Sequence, residues 1–130
     1  MRKAGILMGI PSLPSDYGIG CFSKEAYEFV DFLKKSNQKY WQILCPTSFG
    51  DSPYQSFSSF AGNPYFIDLN TLIDEGVLSE EDCKSADFGT DNTQIDYGKL
   101  YKERYKLLYK AYLNTDLDKK EYWDFIEKNK

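Results

Sequence analysis

The chain has 130 residues and carries 16 Lys and Arg against 20 Asp and Glu, a formal charge of −4. It contains no histidine, so neither a Ser-His-Asp or Cys-His catalytic unit nor a His-ligated zinc site can be assembled from these residues alone. Hydrophobic residues at 42% and charged residues at 28% fit a folded soluble chain, and an acidic balance without a basic run argues against nucleic acid and membrane as partners.

The first apolar run, AGILMGI at 4–10, shows no alternation and is expected to form a strand buried on both faces. Its length is far below the span of a bilayer, and Pro11 and Pro14 follow it at once, so it is not expected to be a signal peptide or a transmembrane segment. PSLPSDYGIG at 11–20 is dense in Pro, Gly, Ser and Asp and is expected to be an ordered loop. Ser23 is placed to cap a helix running to about Ser36, with Ala26, Phe29, Val30 and Leu33 on one apolar stripe and Asn37 as its stop. YWQILC at 40–45 is the second strand, ended by Pro46, with Trp41 in the core. A strand, a helix and a strand in this order predict a right-handed parallel βαβ unit.

Residues 46–66 lack helix or strand periodicity yet hold Phe49, Tyr54, Phe57, Phe60, Tyr65 and Phe66. Long irregular loops rich in aromatics are more often functional than disordered. Beyond them come a short apolar patch at 65–69, a one-turn helix capped by Asn70 and stopped by Gly76, and a short helix opened by a Ser79–Asp82 capping box. A loop at 84–96 leads to a helix from Leu100 to about Leu113. There Tyr101, Tyr105, Leu108 and Tyr112 form a stripe, with Leu100, Leu107 and Ala111 alongside. A last helix covers 118–128, with Tyr122, Trp123 and Ile126 on its apolar side. Cys21, Cys45 and Cys83 are odd in number and widely spaced. Neither a disulfide framework nor a metal site is expected from them, and reduced thiols imply a cytoplasmic protein.

Two parallel strands and one crossover helix cannot enclose a core. The chain is therefore expected to be the beginning of a larger α/β protein, with the rest needed for folding. In the alternative, residues 65–69 add a strand and the C-terminal helices complete a small three-layer domain.

YWQIL at 40–44, GDSPYQSFS at 50–58 and AGNPYFIDL at 61–69 carry a specific resemblance. GIL at 5–7, SLPSDYGIG at 12–20, EAYEFVDFL at 25–33 and IDYGKLY at 95–101 support it. With these the sequence resembles the 4-alpha-glucanotransferases (amylomaltases, disproportionating enzymes) of glycoside hydrolase family 77. The resemblance implies an α/β fold, the N-terminal part of a (β/α)8 TIM barrel. The chain would supply the first two strands, the first helix and the excursion after the second strand, and residues 1–130 would be a segment of the catalytic domain, not a complete one. It also implies transfer of part of an α-1,4-glucan to a new 4-hydroxyl with retention of configuration, on maltooligosaccharides, amylose or other α-1,4-glucans. No cofactor and no metal are implied.

Retaining chemistry needs two carboxyl groups about 5–5.5 Å apart. In the family these lie on later strands, so no residue of this chain is expected to be catalytic; Asp16, Asp51 and Asp68 are not members of that set. What carries over is substrate binding. Tyr54 matches a tyrosine that stacks on the sugar beside the scissile bond, and Ser52 a polar residue next to it. Asp51 would hold their loop, and Phe49 stands where many members have Tyr at a second glucan patch. Phe57, Phe60 and Tyr65 are expected to be packed loop core. Two departures stand out: ILCPTSFGDSPYQ is two residues shorter than the usual ILPLGPTGYGDSPYQ, and GIPSLP replaces HPTSLP or PVSSLP. The shortening could retract Tyr54 from the first sugar site, which leaves open a non-catalytic glucan-binding remnant or truncated gene product. An α-glucan hydrolase of related barrel type is the other alternative.

Overall fold

Strand β1 is Gly5–Leu7 and strand β2 is Tyr40–Gln42. They pair in parallel, Gly5 opposite Tyr40, Ile6 opposite Trp41 and Leu7 opposite Gln42, in a computed structural model that describes residues 2–44, 58, 62–91 and 93–129. The ladder is extended at both ends, where Lys39 N donates to Ala4 O (2.8 Å) and Met8 N donates to Gln42 O (3.0 Å). The helix between the strands, α1, is Lys24–Lys35. The expected βαβ order is thus formed, with shorter strands than the apolar runs. Pro11 has no amide hydrogen to continue the first run, and Ile10–Ser12 turn into a 3-10 helix instead.

Helix α1 buries Ala26 and Leu33, while Phe29 is half-buried and Val30 is exposed. Ser23 is the N-cap residue, but its hydroxyl donates to Glu25 Oε2 (2.5 Å) rather than accepting from the backbone. The helix is stopped just beyond its C-cap Ser36 by Asn37, whose φ of 55° lies in the left-handed region that Asn tolerates. Trp41 is half-buried: its ring meets Phe29 edge to face (centroids 4.9 Å apart) and its Nε1 donates to Met8 O (2.8 Å). The expectation that β1 is covered on both faces does not hold within this chain. Gly5 and Leu7 are exposed and only Ile6 is half-buried, because Ile10, Leu13, Ala26 and Phe66 gather on one side.

The apolar patch at 65–69 adds no strand. Pro64–Phe66 is a 3-10 turn, with Tyr65 N donating to Asn63 Oδ1 (3.0 Å). Helix α2, Leu69–Asp74, is capped by Asp68 and not by Asn70. The Asp68 carboxylate accepts from Asn70 N (3.2 Å) and Thr71 N (3.3 Å), which fits a carboxylate at a helix N-terminus. Gly76 follows at φ 75° and stops it, as the sequence predicts. Helix α3, Glu80–Ser85, has the full capping box of Ser79 and Asp82. Its Asp82 also accepts from Lys110 Nζ (2.6 Å), which with Ser79 holds that carboxyl far down, at about 2.

Helix α4, Tyr97–Asn114, starts three residues earlier than its apolar pattern predicts, because Asp96 caps it by accepting from Lys99 N (3.0 Å). Its buried face is Leu100, Arg104, Leu107 and Ala111, while Tyr101 and Tyr112 are exposed. Of the stripe at Tyr101, Tyr105, Leu108 and Tyr112, Tyr105 and Leu108 are half-buried, and the buried face is the neighbouring one, with an arginine at its centre. Leu107 and Ala111 meet Leu69, Leu78 and Cys83 in a second core cluster. Helix α5, Lys120–Lys128, buries no residue; Ile126 is half-buried and Tyr122, Trp123 and Phe125 are exposed.

Candidate functional site

The carboxyl end of β1 leads through the 3-10 turn into the loop at 13–20, which forms one wall of a cleft of about 770 Å³. The opposite wall is made by residues 88, 89, 91, 93–95 and 97, the last of which begins α4. Both walls are built by local hydrogen bonding rather than by regular structure. In the first, Gly20 N donates to Pro11 O (3.1 Å) and Tyr17 N to Ser15 Oγ (3.1 Å). Gly20 also allows a close approach of main chains: a Cβ there would lie 2.7 Å from both Leu13 N and Leu13 O and would meet Ile10 O as well. Leu13 and Ile19 of this wall are buried, as is Ile10 before it.

In the second wall Asp87 accepts from Gly89 N (3.0 Å) and Asp91 from Thr93 N (2.8 Å), both Asx turns. Lys99 Nζ lies 2.7 Å from an Asp87 oxygen and ties the wall to α4. These bonds, Lys99 for Asp87 and Thr93 for Asp91, hold both carboxyls below their ordinary range. The walls touch where the Tyr17 and Phe88 rings meet edge to face, 6.2 Å between centroids. Exposed Asp16, Asp91, Thr93 and Gln94 and the ring of Tyr97 complete the lining. The cleft therefore offers hydrogen-bonding side chains beside aromatic and proline surface, with no buried acid or base.

Arg104 lies behind the first wall at 1% exposure. Nη1 donates to Tyr17 O (3.3 Å) and Nη2 to Ile67 O (2.5 Å). Burial lowers its pKa, and nearby Cys21, Asp68 and Cys83 pull it back up. Cys21 is buried and its thiol lies 3.8 Å from Asp68 Oδ1. Burial raises the pKa of both Cys21 and Cys83, against the lowering effect of Arg104.

The residues predicted for substrate binding, Phe49, Asp51, Ser52 and Tyr54, lie outside the described residues, as do Cys45, Phe57 and Phe60. Asp16 sits in the cleft lining and Asp68 serves as the α2 cap. Tyr65 packs against Tyr105 (5.7 Å between centroids) and Tyr97 (6.5 Å), consistent with loop core. Leu44, at the exit of β2, has φ 64°, a left-handed conformation unusual for a branched side chain. The second wall was not singled out from the sequence as a binding element; its Asx-turn spacing, DFG and DNT before IDYGKLY, is the signal that marks it. Among the described residues no group of three or more Cys, Asp or Glu could hold a metal ion, and no helix is long and apolar enough to cross a membrane.

An open parallel two-stranded sheet, a crossover helix and a cleft at the carboxyl end of the first strand define an α/β protein with the N-terminal architecture of a (β/α)8 barrel. The 4-alpha-glucanotransferase model of glycoside hydrolase family 77 matches residues 8–130, and the chain belongs to that family. It is 55% identical over 112 residues to a 4-alpha-glucanotransferase of Streptococcus pneumoniae, covering 85% of this chain and 22% of that protein. A 4-alpha-glucanotransferase of Clostridium butyricum is 52% identical over 126 residues, covering 95% and 26%. The amylomaltase of Streptococcus agalactiae, solved in complex with acarbose, superposes with a TM-score of 0.88 at 47% identity over 99% of this chain and 27% of its own. The chain thus spans about a quarter of the length of the relatives it matches.

Proposed function

We propose that this chain is the N-terminal segment of the catalytic barrel of a cytoplasmic 4-alpha-glucanotransferase, acting on maltooligosaccharides, amylose or related α-1,4-glucans. One observation carries the reading: in a member of this family, a polar and aromatic cleft opens at the carboxyl end of β1, the side of such barrels on which active sites lie. Glucose rings present hydroxyls at their rims and C–H groups on their faces. Asp16, Asp91 and Gln94 suit the first, and Tyr97 suits the second.

The transfer runs as a double displacement. A carboxylate attacks the anomeric carbon while a carboxylic acid protonates the departing glycosidic oxygen. The resulting glucosyl ester is then attacked by the 4-hydroxyl of an acceptor glucan, whose proton returns to the second carboxylate. Both carboxylates are assigned outside this chain. Its own contribution is to bind and orient glucan, through the cleft and through Tyr54, Ser52, Asp51 and Phe49 of the loop after β2. Orientation of this kind lowers the barrier by pre-arranging the reacting atoms.

The test is incubation of the full-length protein containing this segment with maltotriose. Glucose together with longer oligomers is the expected result. Maltose and glucose alone would indicate a hydrolase, and no reaction a non-catalytic glucan-binding remnant. The 130-residue chain by itself is expected to give no disproportionation.

A further inference from the structure

Among the described residues Arg104 is the only buried side chain that carries a full charge. Leu100, Leu107 and Ala111 make up the rest of its helix face, so a residue needed only to fill space there would be apolar. Removing a guanidinium from water is costly unless its donors are well used. The described ion pairs do not include it. Its donors go to two main-chain carbonyls far away in sequence, Tyr17 O and Ile67 O, while its Nε has no hydrogen-bond partner.

These two acceptors occupy informative places. Tyr17 belongs to the loop that forms the first cleft wall, flanked by lining residues Asp16 and Gly18. Ile67 lies between Phe66 of one core cluster and Leu69 of the other, at the entry to α2. One planar side chain on α4 therefore sets the distance between a wall of the cleft and the seam of the two cores. Neutral packing could not fix that distance, because apolar contacts lack the directionality of two hydrogen bonds from a rigid fork.

We propose that Arg104 is a positioning residue for the cleft: by holding the Tyr17 carbonyl it fixes the 15–19 wall, and it thereby sets affinity for glucan without touching it. The inference rests on the reading of the cleft as a glucan site. A wall displaced from its place weakens binding of substrate and transition state alike, so the effect falls on KM and leaves kcat nearly unchanged.

The experiment uses the full-length protein with Arg104→Met, which keeps the length and apolar stem, and Arg104→Lys, which keeps the charge but not the fork. Maltotriose kinetics are measured for both, with amide hydrogen exchange read by mass spectrometry. KM is expected to rise about tenfold in R104M, as befits loss of charge-assisted hydrogen bonds, with an intermediate rise in R104K. Exchange should accelerate across 15–20 while that of α1 stays as in the wild type. A purely structural arginine would change the melting temperature and leave KM alone, so a KM within twofold of wild type in R104M overturns the proposal. If R104M does not fold, R104K decides by the same KM criterion. If the wild-type protein shows no transfer, the functional reading fails by itself. The exchange of 15–20 then decides whether Arg104 positions the wall: faster exchange there supports it, and no change sinks it.

Discussion

Gly20→Ala is the sharpest test of how the first cleft wall is built. The backbone at Gly20 is not in the left-handed region, so the added methyl is excluded by space and not by torsion. It would sit 2.7 Å from Leu13 N and from Leu13 O and would also meet Ile10 O. All three are main-chain atoms, so no side chain can swing aside. Overpacking commonly costs about 1–3 kcal/mol where side chains can adjust, and the upper part of that range applies here. Relief also requires opening the Gly20 N to Pro11 O hydrogen bond, at about 1 kcal/mol. The sum is roughly 3–4 kcal/mol. Gly76→Ala supplies the control. There the space is open, with nothing within 4 Å of the added Cβ, but φ is 75°; a left-handed alanine costs about 1–2 kcal/mol. Urea unfolding of the full-length protein and the two variants, followed by tryptophan fluorescence, compares them directly. Gly20→Ala destabilised no more than Gly76→Ala would refute the account of the wall as a close approach of main chains.

Leu107→Ala removes a buried side chain from the cluster of Leu69, Leu78 and Cys83 and is expected to cost about 2–5 kcal/mol, read by the same unfolding titration. The Asp82 carboxyl is held at about 2 in the folded protein against an ordinary 3.8. Its stabilising contribution is therefore fully present above pH 4, falls as the pH drops from there toward 2, and is gone below. The difference in melting temperature between wild type and Asp82→Asn should be constant from pH 7 to about 4 and shrink in acid; a difference that grows toward low pH would contradict this. Cys21 and Cys83 are buried with raised pKa values, so iodoacetamide at pH 7.5 should label neither until denaturant is added. Peptide mass spectrometry reads the labelling, and rapid native modification of either thiol would place it at the surface.

Local chemistry made several elements legible in advance. The capping box at Ser79, the glycine stop at Gly76 and the helix between Ser23 and Asn37 all stand where short-range hydrogen bonding and backbone permissiveness put them. The parallel pairing of β1 and β2 followed from the strand, helix and strand order. Where two local signals competed, the sequence chose less well. Asn70 and Asp68 are both capping residues by type, and the carboxylate two residues earlier reaches two amides. In α4 the tyrosines and the row of Leu100, Leu107 and Ala111 both repeat with helical spacing, so periodicity alone did not say which face is buried.

By itself, then, the sequence determined the elements, their order and the family, because caps, turns and motif residues act over a few positions or are specific as strings. Only the tertiary structure decided which face of α4 is buried, that residues 88–91 and 93–97 stand opposite 11–20 to make a cleft, and that a charged side chain belongs in a core. Those facts depend on partners 87 and 37 residues away, Tyr17 and Ile67. A guanidinium becomes acceptable inside a protein only where distant carbonyls converge on it, and no local pattern records that convergence.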